Sequence, residues 1–249
     1  MRNWFYGFFM AWGMFLGIPC PVKVWDEKAR HHMLACLPFV GCIVGGLWAL
    51  AAFLLDLISC PKPIEALVLF VLPWLMTGFI HVDGYMDVCD AILSRRGLET
   101  RRRILKDPHS GAFAVICVVL LSIALFALFL SNESGAELLP LGLIPVSTRA
   151  CAAIAVSLLR PMSTSQYSGL AEKRRLWAIV FPALALAASI AVPIVLYGLS
   201  GLAPAAAAIG YCAFAFLGFK DLDGMNGDVS GFALTLGEFI GCAVLVLVR

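Results

Sequence analysis

Long, mostly apolar runs broken by short polar connections dominate the chain. They fall at Leu37–Leu57, Ile64–Ile80, Ala112–Leu130, Leu138–Leu159, Leu176–Tyr197, Ala203–Phe219 and Phe232–Val248. A helix of about 20 apolar residues covers the roughly 30 Å hydrocarbon layer of a bilayer, so each run is expected to be a membrane span. Trp4–Ile18 is too short to cross, and Pro19 and Pro21 end any helix there. It is expected to be an interfacial or re-entrant helix. The pattern predicts an all-α fold: a polytopic transmembrane helical bundle of about seven spans plus that short N-terminal helix, in a single integral-membrane domain over residues 1–249.

Composition agrees. The chain is 61% hydrophobic and 14% charged, with a mean hydropathy of +0.93; soluble domains carry roughly 45–50% apolar and about 25% charged residues. A soluble enzyme, a nucleic-acid binder and a disordered tail are excluded, and the lipid bilayer is the expected surrounding. Five of the nine cysteines (Cys42, Cys117, Cys151, Cys212 and Cys242) sit inside apolar runs and no C-x-x-C occurs, so neither a disulfide framework nor a zinc ribbon is expected. No small-residue cleavage site follows the N-terminal apolar stretch, which reads as retained.

The net charge of +2 becomes informative only by position. Fifteen of the 18 Lys and Arg fall in the N-terminal stretch and the 81–111, 160–175 and 220–231 connections, which seven alternating spans put on one face. Lys62 and Arg249 fall on the other. The positive-inside rule makes the basic face cytoplasmic, with the N-terminus inside, in the cytoplasmic (inner) membrane. Asp83, Asp87, Asp90, Asp107, Asp221, Asp223 and Asp228 share that face, while the outer connections Ile58–Pro63, Ser131–Glu137 and Gly198–Leu202 are nearly featureless. This asymmetry points to chemistry at the cytoplasmic face. A divalent-cation or corrinoid transporter would need a polar path through the bilayer, and the spans hold few ionisable groups besides Arg149 and Glu238.

Two constellations carry candidate chemistry. In His81-Val-Asp83-Gly84-Tyr-Met-Asp87-Val-Cys-Asp90 the three aspartates recur at i, i+4 and i+7, one stripe of a helix. Like charges stacked this way need something positive among them, and hard oxygen ligands suit Mg²⁺, or Mn²⁺ as an alternative, held together with substrate phosphates. Gly84 allows close approach of a phosphate or another helix, and His81 is a candidate ligand, general base or phosphate donor. In Lys220–Gly231, three carboxylates and three glycines read as a flexible loop able to cradle phosphate or complete a metal site; Gly224, Asn226, Gly227 and Asp228 are its candidates. Between the two lie Arg95, Arg96, Arg101, Arg102, Arg103 and Lys106, which suit anionic lipid or a pyrophosphate equally. Asp107 and Gly111 stand at the mouth of the third span. Arg149, deep in a span, is a functional candidate.

Taken in order, H-x-D-G-x-x-D-x-x-D, K-D-x-x-S-G-A-F and G-x-x-G-D-x-x-G resemble the cobalamin-5′-phosphate synthase family, also called adenosylcobinamide-GDP ribazoletransferase. The segments Phe15–Pro21 and Leu37–Gly45 also look like that family's opening, so the resemblance runs from the first segment to the last span. It implies a late step of cobamide biosynthesis: adenosylcobinamide-GDP reacts with α-ribazole or its 5′-phosphate, GMP is released, and adenosylcobalamin or its phosphate forms, with Mg²⁺ in the cytoplasmic membrane. By position, Asp83, Gly84, Asp87 and Asp90 match its first motif, Asp107 and Gly111 its second, and Gly224, Gly227, Asp228 and Gly231 its third. Ala91, Asp223, Asn226 and Pro108-His109 depart from it. The implied metal ligands are Asp83, Asp87, Asp90, Asp107 and Asp228. The implied catalytic groups are the first three aspartates and His81. Substrate contacts are expected from Gly84, Arg95, Arg96, Arg102, Lys106, Arg149, Gly224, Asn226 and Gly227. A CDP-alcohol phosphatidyltransferase, the nearest rival, requires D-G-x-x-A-R, where this chain has Asp87-Val88. A homo-oligomer, or association with other cobamide-assembly enzymes, stays open.

Overall fold

The computed structural model describes residues 2–132, 137–162 and 175–248. Residues 163–174 of the expected 160–175 connection, 133–136 of Ser131–Glu137, and Arg249 lie outside the described residues. The elements are α1 Arg2–Phe15, a 3₁₀ turn Glu27–Ala29, α2 Arg30–Ala35, α3 Leu37–Leu57, α4 Lys62–Met76, α5 Ile80–Leu93, α6 Leu98–Ile104, α7 Ala112–Leu130, α8 Leu138–Leu158, α9 Trp177–Tyr197, a 3₁₀ turn Gly198–Leu202, α10 Ala203–Leu222 and α11 Gly227–Leu247. No strand occurs among the described residues beyond a single bridge between Pro161 and Met225.

By length and hydropathy, five stretches among the described residues can cross a membrane, or six if the bent pair α4–α5 is one crossing. One of the five, Trp177–Leu222, is two helices, α9 and α10, joined by the Gly198–Leu202 turn and both packed on α8. Trp177 makes tilted ring contacts with His32 and Trp4, and the Leu222 carbonyl accepts from Arg102. The starts of α3 and α11 meet at one cavity lined by Leu34, Leu37 and Gly227. Both ends of 177–222 thus return to the end of the bundle that holds α1, α2 and α6. Counted separately, α9 and α10 raise the candidate crossings from five to six, or from six to seven if the bent pair α4–α5 is one crossing, in keeping with the polytopic helical bundle read from the sequence.

The run Ile64–Ile80 is not one helix. Thr77 turns its hydroxyl back onto the Pro73 carbonyl, and Gly78 and Phe79 take left-handed backbone with φ of 58° and 62°. The chain bends by 90° there, and α5 leaves at an angle to α4. α1 ends at Phe15, ahead of the prolines, and the Gly17 amide donates to Met76 O at 2.8 Å, tying the N-terminal segment to this bend. In the bundle interior Arg149 of α8, 1% exposed, donates from Nη1 to Glu238 Oε1 of α11 at 2.6 Å and to its own Pro145 carbonyl at 3.2 Å. Two charges so deep in apolar surroundings persist because each answers the other.

Candidate active site

The expected aspartate stripe is helical, on α5. Its position is set by the crossing of α5 over α11. A Cβ on Gly84 would lie 2.9 Å from Asp228 Cα, and one on Gly231 would lie 3.1 Å from the His81 carbonyl, which also accepts from Thr235 Oγ1. Of the two uses foreseen for Gly84, close approach of a helix is the one built into the fold. The crossing delivers Asp83 and Asp87 beside Asp228, so that the charges of Asp83, Asp228 and Asp90 all act on Asp87, and that of Asp83 acts on Asp228. Among the described residues no ion pair neutralises any of these four; the seven pairs found lie elsewhere.

The four carboxylates are not equivalent. Asp83 is exposed. Asp228 accepts from Asn226 Nδ2 at 2.7 Å, while Asn226 Oδ1 caps α11 by accepting from Val229 N at 2.9 Å. Asp90 is 8% exposed and gives both oxygens to the start of α7: Oδ2 accepts from Gly111 N and Oδ1 from Ala114 N at 3.0 Å. Anions are stabilised at helix N-termini, where amides lack partners. Gly111 is part of this arrangement, because a Cβ there would lie 2.6 Å from each Asp90 oxygen. Asp107 stays in its own exposed loop, accepting from His109 N at 3.0 Å and pairing with His109 Nδ1 at 2.8 Å. That side-chain bond holds its carboxyl below the usual carboxylate range. Among the described residues no three His, Cys, Asp or Glu side chains converge into a preformed metal cage.

The second motif is tighter than the flexible loop expected from its glycines. α10 runs to Leu222 and α11 begins at Gly227, leaving four connecting residues. Asp223 is left-handed and Gly224 has φ +155°, with space for a Cβ taken by Met162 Cα at 2.8 Å. Met225 pairs with the 160–162 segment through Met225 N to Arg160 O and Met162 N to Met225 O, both 2.9 Å. Gly224 and Asn226 therefore hold the turn together, and Gly227, with open space at its Cα, is left facing the cavity. Arg102 is likewise engaged: Nε donates to Leu222 O at 3.0 Å and Nη2 to Asp223 O at 2.7 Å, which satisfies the carbonyl end of α10. Arg160 also pairs with Asp223, and Arg101 with Asp221. The side chains of Arg95, Arg96 and Lys106 are exposed and without an ion pair among the described residues.

Two spaces meet at Asp83. One is a largely enclosed cavity of about 140 Å³ bounded by α1, α2, α3, α5, α8 and α11, with Asp83, Gly227 and Asp228 at its lining together with His81 and Arg149. Apolar side chains including Phe15, Leu34, Leu37, Ala152 and Val156 form the rest. The other, more open and about 450 Å³, lies between the end of α1 and the Thr77–Ile80 bend and also includes Asp83. The His81 ring stacks on Phe15 at 6.2 Å, and its Nε2, like Arg149 Nε, is buried without a hydrogen-bond partner. Two contributions escaped sequence reading. The N-terminal segment supplies a wall through Met14 and Phe15, and Glu238 partners Arg149. The second was open to inference, since two opposite charges deep in the spans have each other as the natural partner.

The family model for cobalamin-5-phosphate synthase matches residues 7–246. Among similar curated proteins, adenosylcobinamide-GDP ribazoletransferase of Clostridium perfringens is 35% identical over 244 residues, 96% of both chains. The protein of the same name from Clostridium botulinum is 35% identical over 246 residues, 97% of both. That from Geobacillus kaustophilus is 32% identical over 261 aligned positions, covering 100% of this chain and 98% of its own. No solved structure matches. The first and third motifs meet at one cavity and the second is tied to the first through Gly111 and Asp90; the match over nearly the whole length places the chain in the cobalamin-5-phosphate synthase family.

Proposed function

We propose that this chain is an adenosylcobinamide-GDP ribazoletransferase acting late in cobamide assembly, with adenosylcobinamide-GDP as donor, α-ribazole or its 5′-phosphate as acceptor and GMP as leaving group. The observation that carries the reading is the crossing of α5 and α11, which puts Asp83 and Asp228 on an enclosed cavity, Asp83 also on an open cleft, and Asp87 close enough for both their charges to act on it. The charge asymmetry of the sequence supports a cytoplasmic site, an N-terminus inside and residence in the inner membrane.

The donor set suits Mg²⁺, or Mn²⁺, in a particular way. Mg²⁺ is commonly bound through one or two carboxylates, keeping waters and taking substrate phosphate oxygens. Asp87 and Asp228, both partly covered and, among the described residues, free of ion pairs, would hold it; the lack of a three-ligand cage among those residues fits an ion that arrives with its pyrophosphate. When bound, the metal supplies charge neutralisation on the pyrophosphate. Asp83, open to both spaces, takes the proton of the acceptor hydroxyl. The acceptor oxygen then bonds to the corrinoid-side phosphorus, the bridging P–O bond breaks, and its electron pair leaves with GMP. The exposed Arg95, Arg96, Arg103 and Lys106 are cations available to the guanylyl phosphate. Asp90, through α7, positions the stripe.

GMP release by the purified protein given donor, α-ribazole and Mg²⁺, with EDTA and acceptor-omission controls, tests the reading. GMP that appears only with all three supports it. No GMP from folded, lipid-reconstituted protein overturns it.

A further inference from the structure

The carboxylates at the crossing of α5 and α11 differ in how many oxygens they have left. Asp90 has none, since Gly111 N and Ala114 N take both. Asp228 is half engaged: Oδ2 accepts from Asn226 Nδ2 at 2.7 Å, while Oδ1 has no partner among the described residues and keeps accessible surface. Asp87 keeps both oxygens unpartnered and accessible on the same terms. Asn226 itself is only 9% exposed, so its influence on a ligand passes through Asp228. The orientation of its amide is fixed by chemistry. Oδ1 accepts from Val229 N at 2.9 Å, an NH₂ group cannot accept there, and the NH₂ is therefore the group that faces Asp228. One side chain thus does two things. It caps α11, as Ser, Thr or Asp also could, and it donates to a carboxylate, which Asp could not.

The donation matters for what it leaves. Ca²⁺ gathers about six to eight oxygens and takes carboxylates through one oxygen or both, whereas Mg²⁺ demands a near-octahedral shell, keeps several waters and uses one or two carboxylates. An oxygen already accepting an N–H has spent part of its lone-pair capacity and is held in place, so Asp228 offers Oδ1 in preference to the pair. Charge does not choose between the ions, because the mutual repulsion of Asp83, Asp87 and Asp228 is relieved equally by either. The number of free oxygens does choose. We propose that Asn226 is a positioning residue that makes Asp228 a one-oxygen ligand and so sets the site for Mg²⁺ against Ca²⁺. This rests on the metal-assisted transferase reading above and adds to it the residue that selects the ion.

The test is a displacement measurement that needs no turnover. Mn²⁺ is bound to the purified full chain with adenosylcobinamide-GDP and no acceptor, free Mn²⁺ is read by electron paramagnetic resonance, and Mg²⁺ or Ca²⁺ is titrated in. In the wild type Mg²⁺ is expected to reach half-displacement at a concentration at least fivefold lower than Ca²⁺. Asn226→Gly removes the donor, adds no charge and keeps a residue tolerated at this cap; it is expected to shift the ratio at least fivefold toward Ca²⁺. Asn226→Asp keeps the capping oxygen and loses the NH₂. Its added charge strengthens binding of both ions, so the ratio is what is read, and it is expected to shift the same way. Equal displacement by the two ions in the wild type, or a ratio unchanged in either variant, overturns the proposal; an unchanged ratio with lowered helix stability is what a cap alone would give. Should Asn226→Gly fail to fold, the wild-type ratio and Asn226→Asp still decide. Failure of the transferase reading is distinct, since it appears as no GMP from the wild type with donor, acceptor and Mg²⁺.

Discussion

Asp90→Asn separates an aspartate that holds the site together from those that would act in it. In the native protein both Asp90 oxygens accept from amides at the start of α7, one from Gly111 and one from Ala114. Asparagine keeps one acceptor and turns an NH₂ toward the other N–H. A hydrogen bond to a charged group is worth about 1.5–3 kcal/mol. Loss of the negative charge at a helix N-terminus adds about 0.3–1 kcal/mol, rising to about 2 when partly buried. Together these predict a destabilisation of about 2–5 kcal/mol. Asp83→Asn, at an exposed carboxylate that repels Asp87, is expected to leave stability unchanged or slightly raised, while turnover falls at least a thousandfold. The assay is paired: thermal or denaturant unfolding in detergent for each variant, and GMP release from the fraction that is folded. If Asp90→Asn unfolds like the wild type yet is as inactive as Asp83→Asn, the capping argument is wrong and Asp90 acts directly in the chemistry.

Gly84→Ala puts a methyl 2.9 Å from Asp228 Cα and should separate α5 from α11, lowering turnover about a hundredfold with helix content by circular dichroism retained. Glu238→Ala strands the buried Arg149 guanidinium and should cost about 3–5 kcal/mol, visible as loss of detergent-extractable protein, whereas Glu238→Gln, which keeps an acceptor, should be milder. Burial, and then the Arg175 charge, hold the His32 imidazole below its ordinary value of 6.5. The unfolded chain therefore takes up a proton there before the folded one does, so stability is full above that pH and falls as pH drops through it. Melting curves at about pH 7.5 and 5.5 should show the fall, and His32→Phe should flatten it. Mg²⁺ with inorganic pyrophosphate should raise the melting temperature of the wild type and not of an Asp87→Asn, Asp228→Asn double variant.

Much of the fold was legible because span length and charge position are coarse, strongly repeated signals. The passes α3, α7, α8 and α9 lie within two residues of the apolar runs, and the aspartate stripe lies on one helix as its i, i+4, i+7 spacing required. The break at Thr77–Phe79 was not legible. After Glu65 the run to Ile80 is broken only by Pro73 and the Thr77-Gly78 pair, too little to end a span by hydropathy, and the bend comes from Thr77 bonding back to Pro73 and from left-handed backbone at Gly78 and Phe79. Residue type announced the acidic residues of the site but not their partners. Asp90 and Arg102 carry the same charge signal as Asp83 and Arg95, yet each is bonded to the backbone at a helix terminus 21 or 120 residues away in the chain. That assignment is tertiary, so a motif reads both kinds of residue alike.

The division between bonded and unbonded charge also explains why the acidic residues stand where they do. Asp221, in the last turn of α10, and Asp223, just after it, are met by Arg101, Arg102 and Arg160, so the polar end of the bundle is closed by ion pairs that join α6, the 160–162 segment and the end of α10. Asp83, Asp87 and Asp228 lie on the neighbouring helices and, among the described residues, receive no cation, although basic residues surround them in the sequence. Like charges held together without a counter-charge oppose folding. The glycine-based contact between α5 and α11 nevertheless fixes them in place, since the two backbones touch at Gly84 and Gly231. In the transferase reading proposed above, a divalent ion arriving with an anionic donor would supply the missing positive charge. On that argument the ion pairs and caps hold the scaffold rigid so that three carboxylates can remain unpaired until the substrates are present.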